Sequence, residues 1–162
     1  MAARNPRPIP ALPIDSPERR RLPPLLRRAW YSLNQAFRRR ITHLGITPDQ
    51  FTVMRTLLEG DAQGMTQRQL TEAMSSDPNT VASMLQRMEG AGLVQRDPHE
   101  SDRRAHRIRL CKTGRKRYET ARAIAVELQL EVLSVLPATA REDFLRHLAA
   151  VADACRASTE QS

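Results

Sequence analysis

Two helix-start signals stand so close together in the middle of this chain that they force a tight pair of short helices. Thr66-Gln67-Arg68-Gln69 has the spacing of a capping box, in which a hydroxyl and an amide side chain reciprocally satisfy two orphaned backbone N–H groups. Asp77-Pro78 is a second N-cap, with proline at the first helical position, where its missing N–H costs nothing. The first helix therefore ends at Met74, and Ser75-Ser76 forms a polar turn between the two. The second helix runs to about Glu89 and is stopped by Gly90-Ala91-Gly92.

The flanking segments extend the pattern. Leu26, Ala29, Leu33, Phe37, Ile41 and Leu44 recur at three- and four-residue steps, which predicts one long amphipathic helix from Leu22 to Leu44, ended by Gly45. Thr47-Pro48-Asp49-Gln50 repeats the capping-box spacing and opens a helix with Phe51, Met54, Leu57 and Leu58 facing inward, up to Glu59-Gly60. Beyond the central pair, Leu93 to Arg96 and Ala105 to Leu110 read as short strands joined by a polar loop, with Pro98 in the turn. The second strand alternates, with His106, Ile108 and Leu110 on one face and Arg107 and Arg109 on the other. From Lys112 to Leu136 the positions Tyr118, Ala121, Ala125, Leu128, Val132 and Val135 keep a coiled-coil-like spacing. Pro137 separates this helix from a last one, predicted to begin near Thr139 with Glu142 in capping-box register and to bury Phe144, Leu148, Val151 and Cys155.

Seven of the 11 prolines precede residue 25, and Arg4, Arg7, Arg19, Arg20 and Arg21 make that stretch basic. Such proline density favours extended backbone, so residues 1–21 read as a flexible arm. Aromatics at 4% and only 6 glycines favour a helical chain over a sheet-rich one, and 40% apolar residues suffice for a core. No stretch approaches the roughly 18 apolar residues of a membrane span. The N-terminus lacks the apolar run of a secretory signal, and two cysteines make no disulfide scaffold; the expectation is a cytoplasmic protein. There is no nucleophile–base set, phosphate-cradling glycine loop or convincing carboxylate pair, so no enzyme is expected. His43, His99, His106 and His147 are scattered, without ligand spacing, so no metal or other cofactor is expected either.

Two short helices followed by a two-stranded ribbon describe a winged helix-turn-helix, a mainly α fold with a small β-hairpin wing. The major groove of DNA admits one α-helix, and its base edges offer donors and acceptors. At about 100° per residue, Val81, Met84, Leu85 and Met88 share one side of the fourth helix, while Asn79, Thr80, Ser83, Gln86 and Arg87 fall on the other. Asn79, Thr80 and Ser83 are short enough to approach bases, and asparagine pairs bidentately with adenine. Gln86 and Arg87 lie further along, within reach of phosphates. An amphipathic helix that merely faces solvent would show the same division. Charge placement bears on the choice. Arg103, Arg104, Arg107, Arg109, Lys112, Arg115, Lys116 and Arg117 form a run of eight basic residues uninterrupted by an acid, in a chain of net charge +8. The run begins where a wing would meet the backbone or enter a narrow minor groove, which attracts arginine.

Ile46-Thr47-Pro48-Asp49-Gln50-Phe51, Thr66-Gln67-Arg68-Gln69-Leu70, Thr80 to Glu89, Gly92-Leu93-Val94 and Asp102-Arg103-Arg104-Ala105, with Leu110 to Gly114 shortly after, resemble the MarR family of bacterial transcription regulators. The resemblance covers roughly residues 22 to 157. It implies an obligate homodimer whose first, fifth and sixth helices interlock, with two winged lobes on a pseudo-palindromic operator in double-stranded DNA. It also implies that Arg104 is the wing-tip arginine in the minor groove, and that Asp102 steadies the wing by pairing with an arginine. Asn79, Thr80, Ser83 and Arg87 would face DNA, and Gln67 and Arg68 would sit near phosphates. Independently, long helices with apolar stripes at both ends cannot bury themselves within so small a lobe, so a second subunit must cover them.

The chain departs from the family's pattern in three places. Cys111 stands where a threonine or serine usually caps the fifth helix, and the first helix lacks the cysteine that oxidant-sensing members use. Phe51 is followed by Thr52 rather than the aspartate of urate-responsive members, so that ligand set is incomplete. Cys155, on an apolar stripe, is expected in the core. The resulting expectation is a homodimeric regulator, a repressor, with residues 22–46 and 112–158 as the dimerisation region and 47–111 as the DNA-binding lobe. A small aromatic or anionic ligand between them, lined by Trp30, Tyr31 and Arg55, would relieve DNA binding. A sequence-nonspecific architectural DNA binder, and a protein-interaction module using the basic face, remain open alternatives.

Overall fold

The computed structural model describes residues 16–17, 20–98 and 106–160. Most of the proline-rich arm, His99 and the wing tip with Asp102, Arg103 and Arg104 lie outside the described residues. The chain is mainly helical, with a small three-stranded antiparallel sheet. Helix α1 (Leu22–Ile41) opens with prolines in its first turn, continues into a single 3-10 turn (Thr42–Leu44) and ends on left-handed Gly45 at φ 64°. Helices α2 (Pro48–Glu59) and α3 (Gln67–Ala73) both start on the capping boxes read from the sequence. In α2, Gln50 N–H donates to the Thr47 hydroxyl at 3.2 Å while Thr47 N–H donates to the Gln50 amide oxygen at 3.0 Å. Helix α4 (Pro78–Gly90) begins at Asp77, whose carboxylate accepts from Thr80 N–H at 2.9 Å. Ser75, at φ 47°, makes the sharp turn between α3 and α4.

The sequence reading missed a strand. Met65–Thr66 forms β1, which pairs antiparallel with β3 (His106–Leu110), and β3 pairs in turn with β2 (Val94–Pro98). The order β1-β3-β2 makes β3 the central strand. Met65 lies opposite Ile108 and Thr66 opposite Arg107, while Gln95 faces Arg109 and Asp97 faces Arg107 across the hairpin. Pro98 belongs to β2 rather than to the turn. An edge strand tolerates it, because its missing N–H can point away from the ladder.

Ile41, Val53, Met54, Leu70, Val81, Leu85, Met88, Leu93 and Ile108 form the fully buried centre, drawn from α1 to α4 and the sheet. Helix α5 (Lys112–Leu133) packs beside it through Tyr118, Ala121 and Leu128. Its entry is close: Cys111 N–H donates to the Leu93 carbonyl at 2.9 Å, and a side chain at Gly114 would collide with that same carbonyl. As expected for a poor cap, the Cys111 side chain makes no capping bond. Arg40 ties α1 to α5 through Glu131 at 2.7 Å.

Helix α6 (Ala138–Glu160) corrects the sequence reading. It begins at Ala138, ahead of Thr139, so the capping box foreseen with Glu142 is not its start. Phe144 and Leu148 are exposed, Val151 is half-buried, and Cys155 is exposed rather than in the core. Val132 on α5 and Val135 in the turn after it are exposed as well. Periodicity marked these residues as apolar-facing, but a single subunit provides no surface for them to face. Among the described residues no single helix is long and apolar enough to cross a membrane.

Candidate nucleic-acid interface

Helix α4 has two faces of opposite chemistry. Val81, Met84, Leu85 and Met88 are buried, whereas Asn79, Thr80, Ser83, Gln86 and Arg87 are all exposed, as the helical periodicity foretold. The Thr80 hydroxyl donates to the Asp77 carboxylate that caps the helix, 3.3 Å away. Arg87 lies along the helix, its Nε donating to the Ser83 carbonyl at 3.3 Å, which leaves the guanidinium edge free to turn outward. Gln67 and Arg68 stand at the start of α3, Gln67 half-buried and Arg68 exposed. Arg68 is paired with Glu72 one turn later at 2.9 Å. The hydrogen bond to Glu72, helped by its charge, raises the Arg68 pKa further above neutrality.

Between α4 and β2 lies a shallow concavity of about 350 Å³ lined by Ala82, Ser83, Gln86, Glu89 and Arg96. Arg96 reaches back from β2 to Glu89, 3.1 Å away. Sequence reasoning passed over Arg96. The available signal was its position two residues after buried Val94, on a strand that follows α4 directly.

Both arginines of β3 are paired within the chain. Arg107, expected to touch DNA, donates from Nη1 to the Gly64 carbonyl at 3.1 Å and lies 3.6 Å from Asp61. The reason is its place on the middle strand, where the neighbouring β1 connection offers both acceptors. Arg109 holds Asp97 at 2.6 Å. Trp30 and Tyr31 stand exposed on α1. Arg55 lies 4.8 Å over the Phe51 ring, a cation–π contact, and Phe51 itself meets Phe37 edge-on and stacks on Tyr118.

A short helix, a strained turn and a second helix with a polar outer face, backed by a three-stranded sheet that ends in a wing, define a winged helix-turn-helix protein. A MarR family profile matches residues 46–106. The transcriptional regulator HosA of Escherichia coli O127:H6 (strain E2348/69 / EPEC) is 32% identical over 127 residues, spanning 75% of this chain and 93% of that protein. The chain belongs to the MarR family of DNA-binding transcription regulators. The S. aureus MepR–DNA complex shares the fold with a TM-score of 0.74 at 23% identity, over 80% of this chain and 95% of that one. The transcriptional repressor CouR bound to a 23-mer DNA duplex matches with a TM-score of 0.72 at 27% identity, over 79% and 89%. CouR from Rhodococcus jostii RHA1 bound to p-coumaroyl-CoA matches at 0.69 and 25%, over the same shares of the two chains.

Proposed function

We propose that the chain is a homodimeric, sequence-specific repressor whose grip on DNA is modulated by a small ligand. The observation that carries the DNA reading is the divided face of α4. A fully packed inner side sets the helix rigidly, and the outer side presents Asn79, Thr80, Ser83, Gln86 and Arg87 together. Asn79, Thr80 and Ser83 read base edges in the major groove; Gln86, Arg87, Gln67 and Arg68 contact the backbone. Arg103 and Arg104 carry the wing into the minor groove, with Asp102 steadying it. The exposed apolar residues Leu22, Leu25, Leu33, Val126, Leu130, Val132, Val135, Phe144 and Leu148 all lie on α1, on α5 and α6, or at the junction between those two. That distribution supports dimerisation through residues 22–46 and 112–158, leaving 47–111 as the reading lobe. Working on DNA, the dimer acts in the cytoplasm.

Repression and ligand response are the readings that CouR supports, as a repressor seen both with DNA and with p-coumaroyl-CoA. The ligand here is a small aromatic or anionic molecule held between the dimerisation helices and the lobe, beside Trp30, Tyr31 and Arg55. It acts by favouring a lobe spacing that does not match two successive major grooves. Selection of duplexes from a random-sequence pool, followed by titration of the enriched duplex against a scrambled one, tests the core of this reading. The expected specificity ratio at physiological salt is about 10³ or more. A ratio near one would instead support an architectural DNA binder, and no DNA binding at all would support a protein-interaction module.

A further inference from the structure

We infer that Arg107 and Arg109 are positioning residues that set the angle of the wing, and that the carboxylates holding them, Asp61 and Asp97, are required for DNA binding. The inference rests on the DNA-binding reading above. Both arginines lie on the face of β3 opposite buried Ile108, and each is committed to a different flank. Arg107 reaches toward β1, to the Gly64 carbonyl at 3.1 Å and to Asp61 at 3.6 Å. Arg109 reaches toward β2, where Nε and Nη2 lie 2.8 and 2.6 Å from one Asp97 oxygen and the Gln95 amide donates to the same oxygen at 3.1 Å. Because Gln95 rather than Asp97 is the direct partner of Arg109, this is a diagonal contact across the hairpin, which resists sliding of one strand past the other.

Gly64 makes the first of these contacts possible. It sits at φ 95°, and a Cβ there would lie 2.8 Å from the Ile108 carbonyl oxygen and 2.7 Å from Arg109 Cγ. Only a glycine lets this loop press close enough to the central strand for its carbonyl to meet Arg107. The loop then runs through β1 straight into the N-cap of α3. Holding β3 to residues 61–64 therefore fixes the wing relative to the α3–α4 pair. A wing must reach the DNA backbone while α4 lies in the major groove, so that angle decides whether both contacts form at once.

The sign of the effect separates this from direct contact. If Arg107 and Arg109 gripped phosphates, neutralising a neighbouring carboxylate would free an arginine, remove a repelling charge and strengthen DNA binding, with a steeper salt dependence. If they position the wing, neutralising the carboxylate weakens binding without adding a phosphate contact. Full-length wild type, Asp61→Asn and Asp97→Asn are titrated at several salt concentrations against the duplex that the wild type enriches from a random pool. Each variant should bind about tenfold more weakly with an unchanged salt slope, and Asp61→Glu should recover most of the loss. Binding that is unchanged or tighter in both Asn variants overturns the inference. Should Asp61→Asn also lower the melting midpoint, Asp97→Asn on the other flank decides. A wild type that enriches no sequence overturns the proposed function instead, and is told apart by that result alone.

Discussion

Asp97 sits in the described part of the wing between two hydrogen-bond donors, the Gln95 amide and the Arg109 guanidinium. The Gln95 amide and then the Arg109 guanidinium hydrogen-bond its carboxylate and hold its pKa below the ordinary aspartate range. A carboxyl lowered by folding contributes stability at pH values above its unfolded pKa, and that contribution fades as pH falls through the lowered value. The hairpin should therefore be indifferent to pH near neutrality and loosen only in strong acid. Carbon-detected NMR titration of the full chain should place the Asp97 midpoint below that of an unfolded aspartate, and Gln95→Ala should move it upward. A midpoint that Gln95→Ala leaves in place would discard this account of the site. Arg107, expected to face DNA, and Arg109 both sit in the basic run, and each lies beside a carboxylate that its position in the run does not announce.

Helices α2, α3 and α4 all start where their capping residues stand, because a cap is a contact among residues three apart and needs no knowledge of the rest of the chain. This locality makes cap changes separable. Thr66→Ala should cost about 1 kcal/mol, while Cys111→Thr, which supplies the hydroxyl that α5 lacks, should gain up to about 1 kcal/mol, both measured by urea unfolding. A Cys111→Thr chain no more stable than wild type would mean that the close seating of Gly114 against Leu93 already fixes the helix start. The polar face of α4 was legible for the same local reason, since its residues alternate with buried ones along one helix. What escaped was non-local. Strand β1 is two residues long, too short to alternate, and doubles as the lead into a helix cap. Its partners and the acceptor that Arg107 finds lie some forty residues apart in sequence, and nothing near Asp61 or Asp97 signals which arginine each will meet. The apolar stripe of α6 is legible as a stripe, but its spacing could not say that Phe144 and Leu148 would stay exposed within the chain.

At the scale of the whole molecule, the subunit has a well-buried lobe and a poorly buried set of long helices. Leu130 is 57% exposed and Val135 83% exposed, at the end of α5 and in the turn that follows it. Leu130→Glu combined with Val135→Glu should yield a monomer by sedimentation velocity and abolish binding to the selected duplex, while the lobe keeps its hydrogen-exchange protection. A dimer that survives both changes would place the subunit contact elsewhere. The exposure of α6 also has a temporal meaning. Residues of α1 through α5 supply the buried core, and none of α6 does. In the dimer proposed above, a ribosome would therefore release the residues of the core before the helix that completes the pair. The last step of maturation would then be an encounter between chains, second order in their number, and a cell making few copies would wait longer for its first working molecule than folding alone requires.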